Sequence, residues 1–187
     1  MITRYAHLMA TTAAVLVFAA TASAGTRVSL DHYVKRSAHA GTVVRKNTVR
    51  FTGERVEIPV IAVQPGKPDT SYEVHGQVDP TLIVPAGAKL RFLLANADRG
   101  MAHGLDVTLR LPPYSRKPAL PLSPGGSGDK RTLAGTGVVP PSREDSRSVP
   151  LKKTSWFTPD PGTYHYACPV PGHAHKGMHG TLVVKRP

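Results

Sequence analysis

The sequence has few aromatic and acidic residues, and it contains a single cysteine. One cysteine cannot form an intramolecular disulfide, and it excludes zinc and iron–sulfur sites built from four thiolates. Aromatic residues make up 6% of the chain, whereas proline and glycine number 18 and 17, a balance that favours short strands and turns over long helices. Since 40% of the 187 residues are apolar, the chain can still form the packed core of one domain.

Long apolar runs are also missing, apart from one close to the N-terminus. Residues 1–24 have the pattern of a secretory signal peptide, with Arg4, an apolar stretch from Met9 to Ala20 and the cleavage motif Ala22-Ser23-Ala24. That stretch is too short to span a bilayer; the alternatives are a buried helix or a retained membrane anchor. We expect cleavage after residue 24, a single mature domain over residues 25–187, no stable membrane insertion and a location in the bacterial periplasm.

Alternation of apolar and polar residues predicts a protein built from short strands. Leu90, Phe92 and Leu94 alternate with other side chains, as expected of a strand with one solvent-exposed face, and Pro59 indicates an edge strand or a bulge. Strands are predicted over residues 48–51, 56–63, 81–84, 89–96, 104–110, 149–157, 162–168 and 180–185, and a short helix over residues 30–36. This spacing is typical of an all-β sandwich, here with a proline- and glycine-rich surface excursion over residues 111–147.

One loop near the C-terminus combines three side chains that bind metals. Cys168, His173 and Met178 follow one another at five-residue intervals between two predicted strands. A thiolate, an imidazole and a thioether suit copper, whereas methionine is a poor zinc ligand. One cysteine, two histidines and a weak axial methionine form the ligand set of a blue-copper electron-transfer site. The loop therefore lacks only a second histidine for such a site.

His103 is the best candidate for that second histidine. It lies at the junction of two predicted strands, which places it at one end of a sandwich, where the Cys168 loop can also lie. His175 and His179 compete with His173 by proximity, but the turn before His173 favours that residue, and we place the other two at the rim of the site.

The remaining histidines have simpler interpretations. His165 is expected to face solvent, because it alternates with Cys168 along one strand and so points to the opposite face. His32, His39 and His75 lack metal-like spacing and are expected at the surface. A buried thiol and a core methionine would also need no metal, so the metal interpretation depends on the combination.

The loop resembles that of the cupredoxins, the blue copper proteins, and the resemblance extends over nearly the whole mature chain. It includes an N-terminal extension that most small cupredoxins lack. The segments that carry it are residues 41–51, 56–63, 72–75, 80–87, 100–108, 112–114, 134–137 and 162–185. The resemblance implies a cupredoxin-like Greek-key β-sandwich in which His103, Cys168, His173 and Met178 bind one copper ion. Similar proteins have Ser at Gly104 and Asn at Asp98, and both positions tune hydrogen bonding around the site.

The resemblance further implies a periplasmic electron carrier that exchanges electrons with redox partners such as c-type cytochromes, in one branch within the iron-oxidising respiration of acidophiles. A monomer is expected of such a shuttle. The alternative is a periplasmic copper-binding or delivery protein, although the mature chain has only Met101 and Met178 where several methionine or histidine clusters are expected. An enzyme is not expected, because four protein ligands leave no open coordination position.

The net charge of +12 also bears on partners. Nucleic acid is not expected, because the basic residues are scattered, aromatic residues are not interleaved with them, and the protein is expected to be exported. Residues 161–187 contain Lys176, Lys185 and Arg186 and no acidic residue. We therefore expect the metal end to be positive and to suit an acidic partner.

Overall fold

The computed structural model describes residues 26–116, 131–143 and 147–186. These ranges contain one α-helix, α1 (Leu30–Ala38), and one 3₁₀ turn, Ala174–Lys176. The strands are β1 (Arg27–Ser29), β2 (Thr42–Arg45), β3 (Thr48–Arg50), β4 (Arg55–Ala62), β5 (Tyr72–Val74), β6 (Gln77–Val78), β7 (Thr81–Pro85), β8 (Lys89–Asn96), β9 (Asp106–Thr108), β10 (Thr132–Gly135), β11 (Ser148–Lys153), β12 (Gly162–Ala167) and β13 (His179–Lys185).

The described strands form two sheets that pack face to face. One sheet has the order β1-β11-β8-β4-β5-β6 and the other the order β10-β9-β12-β13-β7-β3-β2. Most neighbouring strands are antiparallel, but β8 pairs in parallel with β4, and β7 pairs in parallel with both β3 and β13. Strand β13 lies between β7 and β12. Alternate side chains of both sheets, among them Ile58, Phe92, Tyr166 and Leu182, are buried in one core between the sheets. The predicted all-β sandwich is therefore confirmed.

The N-terminal extension covers part of the outer face of the first sheet. Strand β1 pairs with β11, and Ser29 begins α1 as its N-cap, with its Oγ accepting a hydrogen bond from the His32 amide at 3.4 Å. Tyr33 is buried among Ile61, Leu93 and Ala95, and its hydroxyl donates to the Leu93 carbonyl at 2.6 Å. The helix is two residues longer than the predicted range, because the sequence past Arg36 still packs on the sheet through Ser37.

The predicted strand bounds are most accurate where a strand pairs with a neighbour on both sides. Strand β8 has the predicted bounds, whereas the strand predicted over residues 104–110 is shortened to β9, and that over 149–157 ends at Lys153. Pro59 lies inside β4, but β5 pairs only with Ile61 and Ala62, so β4 has no partner on that side at Pro59. The expectation of an edge at Pro59 is therefore confirmed locally.

In the part of the chain that the structure describes, no helix combines the length and apolarity needed to cross a membrane. The predicted signal peptide, residues 1–24, lies outside the described residues, as do residues 117–130 and 144–146 of the predicted excursion. The described part of the excursion includes β10, which pairs with β9, and Val139, which forms an isolated bridge with His103.

Candidate metal centre

The metal-binding side chains predicted from the sequence come together at one end of the sandwich. Cys168 follows β12 directly, and its amide donates to the Met178 carbonyl at 3.1 Å, which closes the loop. The Met178 amide in turn donates to the His173 carbonyl at 3.1 Å. His103 lies between β8 and β9 and exchanges two backbone hydrogen bonds with Val139, at 3.1 and 2.6 Å. Backbone hydrogen bonds therefore hold both segments in position without a bound metal.

Three donor atoms converge in the interior. His103 Nδ1 and His173 Nδ1 are 3.1 Å apart, and Cys168 Sγ lies 3.9 Å from the first and 3.6 Å from the second. These spacings fit one small ion bound to all three, since bonds from such metals to nitrogen and sulfur are about 2.0–2.3 Å long. Met178 is fully buried in the same apolar cluster as Cys168. The donors therefore fit a soft, nearly trigonal metal site with a thioether close by.

Asp98 fixes the orientation of the His103 ring. Its Oδ2 lies 2.7 Å from His103 Nε2, which leaves Nδ1 directed at the other donors. Its Oδ1 accepts hydrogen bonds from the amides of Gly100 and Met101 at 2.7 and 3.1 Å. Burial alone would raise the pKa of the Asp98 carboxyl, but the hydrogen bonds from His103, Gly100 and Met101 together hold that pKa below its usual value.

The histidines themselves are disposed to be neutral donors. Burial lowers the pKa of His103, and the hydrogen bond and charge of Asp98 offset this only in part. Burial also lowers the pKa of His173, and the neighbouring His103 and Lys176 add to the effect. Neutral imidazole is the form that binds a metal.

The sulfur of Cys168 is shielded from solvent but not isolated from hydrogen-bond donors. Burial raises the pKa of the Cys168 thiol, whereas the backbone amides of Gly104 and Val170 and the Tyr72 hydroxyl lower it. Pro169 and Pro171 cannot donate, but Val170 lies between them and does. The Tyr72 hydroxyl has one proton, which the Gly104 carbonyl and the Cys168 sulfur share as neighbouring acceptors. Tyr72 was missed in the sequence, because it is brought to the site only by sheet packing from β5.

Asn96 is a second residue that sequence reasoning missed. Its Nδ2 donates to the carbonyls of Met101, Val139 and Pro140 at 3.0, 3.2 and 2.9 Å, so one side chain holds both segments that flank His103. Its position at the end of the alternating segment 89–96 is the only signal in the sequence, since a polar residue at a strand end can bond to loop carbonyls.

The departure at Gly104 has a steric explanation. A Cβ at this position would lie 2.9 Å from the Gly137 carbonyl oxygen and 2.9 Å from Cγ of Pro169. The Pro169 ring therefore occupies the space that a serine side chain would need. Gly104 leaves room for the Pro169 ring because it has no side chain.

The other histidines are distributed largely as predicted. His32 and His39 are exposed, His75 is half-buried, and all three lie outside the group of converging donors. His175 is exposed and His179 is half-buried, so both lie at the rim. His175 Nδ1 contacts the Tyr114 carbonyl at 3.0 Å rather than the donor group.

The prediction that His165 faces solvent is wrong. His165 does point away from the core, but only 8% of it is exposed. The reason is that this outer face is covered: Tyr114, which follows β9, packs on Ala167 and Ala174 there. A sequence pattern identifies the face of a strand but not what packs on that face.

The expected charge of the metal end also needs correction. Lys176 lies in the metal-binding loop, but Lys185 is the last residue of β13, a strand that begins at His179 beside the loop. The strand carries Lys185 and Arg186 about 20 Å away, to the opposite end of the sandwich. Only one of the three cations is therefore at the metal end.

A sandwich of two β-sheets that holds two imidazoles and a buried thiol at one end, with a buried thioether in the same loop, defines a class of protein. The class is the cupredoxins, whose type I site takes one copper ion as cofactor, and this chain is a cupredoxin.

Comparison with known proteins narrows the class. The chain is 36% identical over 139 residues to rusticyanin of Acidithiobacillus ferrooxidans, a match that covers 74% of this chain and 82% of the relative. It is 36% identical over 142 residues to rusticyanin of Acidithiobacillus ferridurans, covering 76% of this chain and 70% of that one. The chain belongs to the rusticyanin family.

Solved structures agree with this assignment. The 1.27 Å structure of rusticyanin from Thiobacillus ferrooxidans superposes with a TM-score of 0.74 at 32% identity, covering 86% of this chain and 96% of that one. Reduced rusticyanin at 1.9 Å gives a TM-score of 0.70 at 34% identity, covering 86% of this chain and 99% of that one. No family model matches the sequence.

Proposed function

We propose that this protein is a periplasmic electron carrier whose single copper ion is held by His103, Cys168, His173 and Met178. The convergence of two imidazole nitrogens and one thiol within 3.9 Å of one another, all buried, supports the proposal best. In this role the protein carries out no substrate turnover. It works as a monomer formed by residues 25–187 after cleavage of the signal peptide, and exchanges one electron at a time with redox partners such as c-type cytochromes.

Copper bound there supplies a one-electron Cu(I)/Cu(II) couple. The protein residues keep the donor geometry the same in both oxidation states, because backbone hydrogen bonds fix the Cys168 loop and Asp98 fixes the His103 ring. Burial of Cys168 and Met178 excludes water from the sulfur atoms. Four protein ligands leave no position at which a substrate could bind.

The partner is expected to dock over His173. This ligand is 7% exposed, whereas His103 is fully buried, so the edge of His173 is the shorter route to the surface. Met101, which is 41% exposed, and the exposed Pro112, Pro113 and Pro171 offer an apolar patch that suits brief encounters. Tyr114, which follows Pro113, is buried and supports the patch from beneath.

The test is addition of Cu(II) to the purified protein, followed by visible absorption and electron paramagnetic resonance. We expect an intense blue thiolate-to-copper band with small copper hyperfine splitting, and we expect Cys168→Ser to abolish both. His175→Gln, in the same loop but outside the donor group, should keep them. A pale adduct or a preference for zinc would contradict electron transfer and would favour storage or delivery of copper. An intact mass that begins at Gly25 in the exported protein would test the processing site.

A further inference from the structure

The outer face of the first sheet carries a cluster of cations far from the metal centre. We call it the distal face, and it consists of Arg55, Lys89, Arg91, Lys153 and Trp156. The register places Arg55 beside Lys89 on the paired strands β4 and β8, and Glu57 beside Arg91. These side chains alternate with Val56, Ile58, Leu90 and Phe92, which are buried between the sheets, so the cations point outward.

The helix leaves this part of the sheet uncovered. Helix α1 packs over Ile61, Leu93 and Ala95, the residues that come next along the same outer face. Beyond them Arg55, Lys89 and Lys153 are exposed. A groove of about 530 Å³ adjoins this face, with Arg36, Arg91 and Lys153 in its walls. Among the described residues, the charged groups on this face and in the groove walls are the carboxylate of Glu57 and the cations of Arg36, Arg55, Lys89, Arg91, Lys152 and Lys153.

The side chains on the distal face are held in place. The guanidinium carbons of Arg55 and Arg91 lie 4.4 and 4.3 Å from the ring centroid of Trp156, so the indole packs against both cations. Glu57 accepts hydrogen bonds from both Arg91 and Arg36. The guanidinium groups of this face therefore already bind one partly exposed carboxylate within the chain. Preorganised cations lose less entropy when they bind a further carboxylate.

Distance separates this face from the electron-transfer end. Arg91 precedes Asn96 by five residues on β8, which is about 17 Å of extended chain, and Asn96 donates to the segments that flank His103. A molecule bound at the distal face would therefore leave the edge of His173 accessible.

We propose that the distal face is a docking surface for an acidic segment of a partner protein, distinct from the surface at which electrons are exchanged. The cations of this face are held in fixed positions, and their charge is complementary to a partner segment that carries carboxylates. A membrane is the less suitable occupant, because the aromatic ring on this face is already in contact with two guanidinium groups and cannot readily enter hydrocarbon. The inference does not depend on electron transfer.

The chain contains a built-in probe for this interaction. Trp156 is its only tryptophan, so its fluorescence reports on the distal face directly. The copper-loaded protein is titrated with poly-L-glutamate at low ionic strength and again with added salt. We expect a saturable change in Trp156 fluorescence whose apparent affinity falls as salt rises.

Two matched variants locate the binding site. Arg55→Gln, Lys89→Gln and Lys153→Gln together remove three charges from the distal face, and the control Lys46→Gln, Lys67→Gln and Arg143→Gln removes three exposed charges elsewhere. The first variant should lose about tenfold in affinity, because it removes three exposed charges that attract the probe. The control should stay within about twofold of the wild type. Lys89→Glu alone, at an exposed strand end, gives the same readout with less risk to folding.

The outcomes separate the possibilities. Equal losses in both triple variants would overturn the proposal, because the probe would then respond to net charge alone. Binding to phosphatidylglycerol vesicles that depends on the distal face, without binding to poly-L-glutamate, would overturn it in favour of a membrane. An unchanged blue band in the distal-face variant would show that its copper site is intact. A loss of affinity for poly-L-glutamate would then come from the distal face itself.

Discussion

Asp98 places a carboxylate one hydrogen bond away from His103, a proposed copper ligand. Its Oδ2 contacts His103 Nε2 at 2.7 Å, and only a small part of the side chain is exposed. A negative charge so close to the site stabilises the more positive, oxidised ion. The same side chain also orders the loop through the amides of Gly100 and Met101.

We expect Asp98→Asn to raise the reduction potential of the copper-loaded protein. Removal of the charge disfavours Cu(II), and a tenfold change in the redox equilibrium corresponds to about 60 mV for one electron. A redox titration followed at the blue band measures the change. Asp160→Asn removes an exposed carboxylate at the start of the β12 segment and should leave the potential unchanged. A lowered potential in Asp98→Asn would mean that loop distortion outweighs charge.

The residues proposed as ligands could be identified from the sequence because their types are rare in this chain. Cys168 is the only cysteine, and Met178 and His173 follow it at short intervals. Tyr72 and Asn96 could not be identified in the same way, because tyrosine and asparagine have many roles and these two reach the site through contacts between distant segments. His103 lies between these cases, since a strand junction locates it but does not exclude other histidines.

At the scale of secondary structure, the pairing of β12 with β13 depends on a glycine. Gly180 lies opposite Tyr166, and a Cβ at Gly180 would overlap the Tyr166 ring and hydroxyl. That hydroxyl donates to the Pro80 carbonyl at 2.6 Å, which connects these strands to the segment before β7. The bare backbone of Gly180 therefore leaves room for a buried side chain that joins three strands.

We expect Gly180→Ala to destabilise the protein by about 1–3 kcal/mol or more, because the added methyl must displace Tyr166 from its hydrogen bond. Chemical denaturation measures the free energy of unfolding. Gly162→Ala is the matched control on the same strand pair, since the nearest atom to its Cβ would be 3.7 Å away. Equal effects in the two variants would show that loss of glycine, rather than overlap with Tyr166, is responsible.

The sequence predicts a strand well where its alternation of apolar and polar residues extends over the same residues that pair with neighbouring strands. Strand β8 alternates over Lys89–Phe92 and pairs with β4 and β11 on its two sides, so its predicted bounds are correct. Strand β9 ends earlier than its alternation suggested, because it pairs with β12 and β10 only over Asp106–Thr108. The end of each strand depends on contacts with distant segments, which a single sequence does not specify. The burial of His165 depends on such contacts as well.

For the whole molecule, the partly buried carboxyl group of Asp79 links stability to pH. Burial raises the pKa of Asp79 to about 7, although its Oδ1 accepts a hydrogen bond from the Tyr72 amide at 2.9 Å. In the unfolded chain an aspartate has a pKa of about 3.9. The folded state therefore binds this proton more tightly than the unfolded state, and the free energy of unfolding loses this contribution as pH rises from about 4 to about 7.

Asp79→Asn removes the titration but keeps an oxygen that can accept from Tyr72. We expect the variant to gain stability relative to the wild type between about pH 4 and about pH 7, by about 2–4 kcal/mol in total, and the difference to stay constant above that range. Denaturation of both proteins at several pH values measures it. A difference that does not vary with pH would mean that Asp79 ionises in the folded protein as readily as in the unfolded chain.

The position of β13 in its sheet bears on when copper can bind. This strand is the last one described, yet it lies between β12 and β7, where it pairs with both. A chain that emerges N-terminus first, from a ribosome or a translocation pore, cannot complete this sheet until β13 has emerged. Cys168, His173 and Met178 directly precede β13, and the loop that contains them is closed by β12 and β13. We therefore expect copper loading to follow folding, because the donor atoms are held in place only once β13 has paired.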